Sequence, residues 1–169
     1  VLSQPFDAAP GAQFTYSGGD VALIAEVIER AVGEPLEDYA RRKLFDPLGV
    51  TDVEWLKDDK GLPIAASGLR MRPGDMDWVV ASVEAQTVVR PPAPCDGLYY
   101  GYFWWLGPAC PEAGDPAWYS AIGNGGQRIF VAPELDLVIV VTSGLYNDPR
   151  QRLTREIMES VVAWAARKD

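Results

Sequence analysis

Apolar residues recur at helical spacing in the early part of the chain. Ser17 and Asp20 form a Ser-x-x-Asp capping pattern, which predicts a helix that begins near Ser17. The apolar residues that support this helix are Val21, Ile24, Val27, Ile28 and Ala31. Gly33 ends the helix, and Pro35 begins a second predicted helix over residues 36–44.

The second half of the chain carries the pattern of β-strands. Aromatic residues favour a strand over residues 98–106, and a shorter strand is expected at residues 118–121. Residues 127–132 and 137–143 predict two strands joined as an antiparallel hairpin. A cap at residues 147–149 begins a last amphipathic helix. The apolar residues near one face of this helix are Leu153, Ile157, Val161 and Trp164. Helices followed by antiparallel strands and a closing helix predict an α+β fold.

The composition is that of an ordinary globular protein. The chain has 169 residues, of which 48% are apolar and 23% are charged, so it can bury a core of its own. Its net charge of −9 argues against nucleic acid as a partner, because phosphate contacts need clustered Lys and Arg. No apolar stretch reaches the roughly 18 residues that a membrane span needs, so no such span is expected.

The chain contains no histidine. This excludes a Ser-His-Asp triad, a Cys-His pair and a His-ligated zinc site built from this chain alone. Chemistry would have to rest on Ser, Tyr, Lys or carboxylates, and we expect neither a metal nor a cofactor. Cys95 and Cys110 fit a disulfide in an oxidising compartment or two unrelated thiols equally well.

The glycine-rich segment Gly123-Asn124-Gly125-Gly126 lies between two predicted strands. A tight turn is the simpler interpretation, since glycine adopts positive φ at little cost. The alternative is a pocket of backbone N–H groups for an oxyanion, because glycines expose amides and let a substrate approach. The pattern leaves both interpretations open.

Tyr16 and an aromatic run also have two interpretations each. The Tyr16 side chain either covers the start of the first helix or transfers a proton. Ionising an ordinary tyrosine at pH 7 costs about 4 kcal/mol, so the second role needs a nearby cation. The aromatic residues within 99–105 suit core and sheet surface, or a wall for an apolar substrate.

Several segments together resemble the serine β-lactamase and penicillin-binding-protein superfamily, in its class C-like branch of esterases, amidases and D-alanyl-D-alanine carboxypeptidases. They read PGAQFTYSGGD at residues 10–20, LFDPLGV at 44–50, and GNGGQ at 123–127 with the hairpin FVAPELDL at 130–137. ASGLRM at 66–71 and the aromatic strand are also similar. The resemblance covers nearly the whole chain in order and implies a β-lactamase/transpeptidase-like fold.

The resemblance implies a Ser nucleophile in Ser-x-x-Lys, a Tyr motif and a Lys-Thr-Gly-like strand edge. Tyr16 matches the family tyrosine that assists proton transfer, and Gly18 stands where many members have Asn. Residues 123–126 match the third motif without its Lys or His, which makes the backbone N–H of Asn124 the expected oxyanion donor. The substrate-binding residues expected around these two are Ser17, Gly18, Gly123, Gly125 and Gly126.

The nucleophile motif does not occur in this sequence. None of the lysines Lys43, Lys57, Lys60 and Lys168 has Ser three positions earlier. Ser67-Gly68-Leu69-Arg70 is the nearest imitation, but arginine does not deprotonate to act as a base. We therefore expect the nucleophile upstream of Val1, in a longer protein of which this chain is the C-terminal portion. We expect the chain alone to be inactive.

The resemblance also implies how the chain is divided. Residues 1–94 would form a portion of the helical subdomain with the Tyr motif, and residues 95–169 the strands and closing helix of an α/β subdomain. Both would belong to one incomplete structural domain. Relatives carry a helix and a connecting stretch between residues corresponding to Met76 and Asp77, so residues are expected to be missing there.

Several alternatives stay open. The intact enzyme would cleave an ester or amide bond of a small molecule, with β-lactams and D-alanyl peptides among the candidates. A non-catalytic relative would instead bind a ligand or partner through the aromatic wall. A second chain or a missing N-terminal segment would complete the fold. The compartment, exported or periplasmic against cytoplasmic in a bacterium, is also undetermined.

Overall fold

The computed structural model describes residues 5, 8–9, 12–76, 99–107 and 118–167. The chain divides into two compact units, Val1–Arg72 and Pro73–Asp169, and each is described by itself. The expected boundary at residues 94–95, the cysteines Cys95 and Cys110, and the residues after Met76 lie outside the described part. Expectations about them stay predictions.

The first unit begins with the helix that the capping pattern predicts. Helix α1 spans Gly18–Val32, and Ser17 occupies its N-cap position in extended backbone. The Ser17 side chain makes no capping hydrogen bond, so the pattern marks the helix start without supplying the expected bond. Gly33 ends α1 with φ of 73°, the left-handed conformation that glycine adopts without strain.

The second predicted helix is α2, Leu36–Ala40, which continues as a π-helical turn over Arg41–Phe45. The Glu29 carboxylate of α1 accepts the Leu36 N–H at 2.8 Å and so caps the first turn of α2. Phe45 and Val50 are buried with Leu36, and the Val50 N–H donates to Phe45 O at 2.9 Å. Within the 44–50 segment, Phe45 and Val50 thus belong to the core of this unit.

The first unit also contains two short strands that the sequence pattern does not predict. Strand β1, Val53–Trp55, pairs antiparallel with β2, Leu69–Met71. The residue before β2 must be glycine, because a Cβ on Gly68 would lie 2.7 Å from Ile64 O and 2.9 Å from Leu56 O. Strands of three residues are too short for their alternation to stand out from a loop.

The second unit is a five-stranded antiparallel sheet with one helix. Each strand pairs with the next one along the chain, in the order β3-β4-β5-β6-β7. The elements are β3 (Tyr99–Gly101), β4 (Trp104–Leu106), β5 (Tyr119–Ile122), β6 (Arg128–Ala132), β7 (Leu137–Val141) and α3 (Arg152–Ala165). The expected hairpin of β6 and β7 is confirmed, with Ala132 opposite Leu137.

The single strand expected over residues 98–106 is wrong, because β3 and β4 are two strands of a tight hairpin. Tyr102 and Phe103 form its turn, with φ of 50° and 66°. Hairpin turns with two positive φ values usually carry Asn or Gly. Two aromatic residues give no turn signal, so the pattern there is typical of a continuous strand.

Side chains alternate along β6 and bury apolar residues on both faces of the sheet. On one face Val131 packs with Leu106 and Tyr119. On the other face Phe130 packs with Met158 of α3. The sheet is therefore covered on one face by α3 within this unit, and its register sets which residues meet the helix.

Helix α3 buries a different face from the apolar one that the sequence shows. Met158 is 5% exposed, whereas Ile157 is 53% exposed, and Leu153 and Trp164 are also exposed. The buried face includes Thr154, whose hydroxyl accepts the Arg128 Nε–H at 3.1 Å and donates to Gln151 O at 2.8 Å. A polar residue thus occupies a buried position. The spacing of apolar residues in the sequence therefore does not identify this face of the helix as the buried one.

Neighbouring substitutions in α3 test which face is buried. Met158→Ala should lower the free energy of unfolding by about 2–5 kcal/mol, because it leaves a cavity beside Phe130. Ile157→Ala removes an exposed side chain and should change it by roughly 0.5 kcal/mol or less. Urea unfolding of the 169-residue chain measures both. An equal loss in the two variants would contradict the observed orientation of α3.

Asp148 caps the short 3₁₀ turn Pro149–Gln151 that leads into α3, and its pKa is perturbed. The Asp148 carboxylate accepts the Arg150 N–H at 2.8 Å and pairs with the Arg150 guanidinium at 2.7 Å. Hydrogen bonds from the Arg150 side chain and backbone lower the pKa of Asp148 from 3.8 to about 2. Because the folded-state pKa is depressed, this contribution to stability is present above about pH 4 and is lost as the pH falls towards 2.

NMR titration of the Asp148 carboxyl carbon tests this assignment. Arg150→Gln should raise the pKa of Asp148 back towards its ordinary value, because the guanidinium hydrogen bonds are lost. Arg152→Gln, two residues further on and without a hydrogen bond to Asp148, should leave the titration unchanged. A titration midpoint near 4 in the unmodified chain would disprove the pairing.

Candidate functional site

Residues 123–126 form the turn of the β5–β6 hairpin. The Gly123 N–H donates to Gln127 O at 2.9 Å, and the Gly126 N–H donates to Gly123 O at 3.0 Å. Gly126 has φ of 81°, which an L-residue with a side chain adopts only with strain. The expectation of a tight turn is confirmed. Position 126 of this turn requires glycine because of its positive φ.

The peptide bond between Asn124 and Gly125 is held at both ends by glutamine side chains. The Gly125 N–H donates to Gln127 Oε1 at 2.8 Å. On its other end, Asn124 O accepts a hydrogen bond from Gln151 Nε2 at 2.5 Å. The same Gln151 amide donates to Leu145 O at 2.8 Å, which ties the turn to the segment before α3.

The N–H groups of the turn are committed to hydrogen bonds, with one exception. Those of Gly123, Gly125 and Gly126 all donate to partners. The Asn124 N–H has no acceptor within the part of the chain that the structure describes. Asn124 is exposed, whereas Gly125 and Gly126 are buried.

The Asn124 side chain points to the segment after β7. Its Nδ2 lies 3.3 Å from Asn147 Oδ1, to which it donates a hydrogen bond. Asn147 has φ of 54°, a conformation that Asn tolerates better than most residues. One N–H of the Asn124 side chain therefore links the turn to the segment after β7.

Tyr16, Ser17 and Gly18 lie together in the first unit, at the start of α1. Tyr16 is 58% exposed in the extended segment before the helix, so its side chain is accessible. A Cβ on Gly18 would lie 3.5 Å from the Ala66 Cβ, which is ordinary contact. The residues of the hairpin turn belong to the second unit, and the roles expected for both sets stay predictions.

The aromatic cluster divides between the core and the surface. Trp104 packs edge-to-face against Tyr119, with ring centroids 5.2 Å apart. Tyr102 and Phe103, at the tip of the β3–β4 hairpin, are exposed. The described part of the run thus supplies both core and surface residues, and its role as a wall for an apolar substrate stays a prediction.

In the ranges that the structure describes, no group of three or more Asp, Glu or Cys side chains is arranged to hold a metal ion. No helix in those ranges is long and apolar enough to cross a membrane.

The contacts that hold the turn were not foreseen from the sequence. Gln127 directly follows the glycines in the sequence. That position alone does not predict that its side chain folds back to accept a hydrogen bond from the turn. Gln151 lies 27 residues beyond Asn124, at the start of a helix. No local pattern relates a residue at that distance to a turn, so its contact appears only in three dimensions.

Substituting the turn glycine tests the geometry of the hairpin. Gly126→Ala should lower the free energy of unfolding by about 1–2 kcal/mol, because alanine is strained at positive φ. Its Cβ would also lie 3.3 Å from Ser143 Oγ. Gly144→Ala, where an added Cβ has nothing within 4 Å, is the matched control and should be close to neutral. Equal stability of both variants in urea unfolding would contradict the turn conformation.

Sequence comparisons match the chain to one protein family and to parts of two longer proteins. The sequence profile of the Beta-lactamase family matches residues 1–162. A putative D-alanyl-D-alanine carboxypeptidase of Escherichia coli K12 is 34% identical over 68 residues, which are 38% of this chain and 16% of that protein. A lovastatin esterase of Penicillium rubens is 29% identical over 77 residues, which are 46% of this chain and 18% of that protein.

A solved structure shares the fold. The crystal structure of a penicillin binding protein from Bacillus halodurans matches with a TM-score of 0.72 and 17% sequence identity, over 93% of this chain and 59% of that one. This likeness confirms the α+β, β-lactamase/transpeptidase-like fold. The chain matches less than two thirds of the length of each of these relatives. Because the family profile spans nearly the whole sequence, the chain belongs to the Beta-lactamase family, within the serine β-lactamase and penicillin-binding-protein-like superfamily.

Proposed function

We propose that this chain is the C-terminal portion of a class C-like serine hydrolase, which cleaves ester or amide bonds of small molecules through an acyl-enzyme. Membership of the family supports a serine hydrolase in general, and the similar proteins include a carboxypeptidase and an esterase. The observation that carries the finer proposal is the open Asn124 N–H, in the turn that corresponds to the third family motif.

In this proposal an upstream Ser attacks the substrate carbonyl carbon, and its proton passes to the neighbouring Lys and Tyr16. The carbonyl oxygen becomes an oxyanion, held by the backbone N–H of the Ser and that of Asn124. The proton then goes to the leaving alcohol or amine, which departs and leaves the acyl-enzyme. Water then attacks the carbonyl carbon of the acyl-enzyme and gives a proton to the same Lys and Tyr16. The bond to Ser breaks, the acid is released and Ser regains its proton.

The remaining site residues have supporting roles in the proposal. Gly123, Gly125 and Gly126 would lie beside the substrate as the backbone of the turn. Glycine at positions 123 and 125 leaves room for the Gln127 side chain, since an added Cβ would lie 2.6 and 2.7 Å from its amide atoms. Ser17 and Gly18 would contact the substrate beside Tyr16. Gly18 lacks the side-chain amide that Asn supplies in many relatives, so a substrate contact from that position would be absent.

The chain by itself is proposed to be inactive, because no Lys in it has a Ser three positions earlier. An N-terminal segment of a longer product, or a second chain, would supply the nucleophile and complete the fold. The only other partner proposed is the small-molecule substrate.

Activity measurements on two polypeptides test the proposal. The 169-residue chain, verified by mass, should not hydrolyse a nitrophenyl ester, a chromogenic β-lactam or a D-alanyl peptide. The full-length product of the gene should contain an upstream Ser-x-x-Lys and hydrolyse at least one of the three with saturable kinetics. Saturable hydrolysis by the 169-residue chain alone would contradict the proposal that the nucleophile lies outside this chain.

A conservative substitution tests the role of Tyr16 in the full-length product. Tyr16→Phe should lower kcat by about 10²–10⁴-fold, because it removes the group that transfers the proton. Tyr39→Phe is the matched control, since it keeps the ring on which the Arg42 guanidinium rests and should leave kcat unchanged. Equal rates in both variants would exclude Tyr16 from proton transfer.

A non-catalytic relative that binds a ligand through its aromatic residues is the second candidate. The exposed Tyr102 and Phe103 at the β3–β4 tip favour it. A full-length product without Ser-x-x-Lys, inactive on all three substrates, would support this candidate and reject the hydrolase.

A further inference from the structure

We infer that Gln151 and Gln127 are positioning residues, which together orient the Asn124 backbone amide for oxyanion binding. The pair is called the glutamine clamp below. The inference rests on the proposed function, because the Asn124 amide needs a fixed orientation only if it binds the oxyanion. It concerns two side chains that would not themselves touch the substrate.

The clamp grips one peptide plane from opposite sides. Gln127 Oε1 accepts the Gly125 N–H at 2.8 Å, and Gln151 Nε2 donates to Asn124 O at 2.5 Å. A peptide group is planar, so fixing its N–H and its C=O fixes its rotation. The plane that follows Asn124 is thereby held against a flip that Gly125 alone would permit, since glycine allows a wide range of φ and ψ.

The plane that precedes Asn124 carries the N–H in question. Its carbonyl, Gly123 O, accepts the Gly126 N–H at 3.0 Å across the turn. That bond restrains the plane before Asn124, and the clamp restrains the plane after it. Because φ and ψ of Asn124 are the rotations between these two planes, the clamp completes the restraint on the residue that carries the N–H.

Both glutamines are themselves held in place. The Gln151 N–H donates to Asp148 O at 3.0 Å, and its carbonyl accepts the Thr154 hydroxyl at 2.8 Å. The amide of Gln151 also reaches Leu145 O, and the amide of Gln127 donates to Tyr146 Oη at 2.9 Å. Side chains that are fixed by further hydrogen bonds position a functional group without loss of order at each turnover.

Two substitutions of Gln151 separate hydrogen bonding from packing. Gln151→Met keeps the length of the side chain and removes both donors. Gln151→Lys keeps donors that can reach Asn124 O and Leu145 O. Arg152→Gln, the next residue along and without a contact to the turn, serves as the control.

The first measurement is amide hydrogen exchange in the 169-residue chain, which needs no catalysis. In Gln151→Met the Gly125 N–H should exchange about tenfold faster or more, because the plane is released from one side. Gln151→Lys and Arg152→Gln should exchange as the unmodified chain does. Unchanged Gly125 exchange in Gln151→Met would overturn the clamp itself.

The second measurement is steady-state kinetics of the full-length product with an ester substrate. Since loss of a whole oxyanion donor costs about 10²–10³-fold, Gln151→Met should lower kcat by about 10–100-fold with KM unchanged. Gln151→Lys should restore kcat to within about threefold, which a role in stability alone would not predict. If kcat fell equally in Gln151→Met and Gln151→Lys, the inference would be contradicted.

The two measurements distinguish the failures. Faster Gly125 exchange with an unchanged kcat would leave the clamp and the hydrolase standing and reject the positioning role. A full-length product without any hydrolysis, but with the expected exchange rates, would reject the proposed function and with it the catalytic purpose of the clamp.

Discussion

The pairing of β6 with a strand on each side is the constraint on which the second unit depends. Val131 faces one buried cluster while Phe130 faces the other, so a shift of one residue in register would exchange their environments. The same register places Ile122 opposite Arg128 and leaves the five residues 123–127 to close the hairpin. The core of the sheet and the geometry of the turn thus follow from one alignment of strands.

The hairpin turn combines two properties that are usually in conflict. Glycines give a turn the freedom to approach a ligand closely, but that freedom costs order in the absence of other restraints. Here the Gln127 and Gln151 side chains supply the restraint on the Asn124–Gly125 peptide group. The chain lacks histidine, so backbone amides are suitable polar groups for its proposed chemistry.

The order and type of the larger elements could be predicted from the sequence, because helix ends marked by glycine and apolar strands are local signals. The failures have physical causes. The aromatic turn at Tyr102 and Phe103 uses residues that rarely adopt positive φ, and Thr154 places a hydroxyl on the buried face of α3. For the candidate site, the segments were found through resemblance, but the contacts of Gln151 join residues far apart in the chain, which no local pattern encodes.

The order of strands in the sheet also has a consequence for how the second unit forms during synthesis. Each strand pairs with its sequence neighbour, so the sheet can grow hairpin by hairpin from β3 to β7 without waiting for distant partners. Among the described elements of this unit, α3 covers the face that receives Met158, and it follows all five strands in the sequence. Premature termination within α3 would therefore release a nascent sheet with an apolar face exposed, and such a product is prone to aggregation and to removal by quality-control proteases.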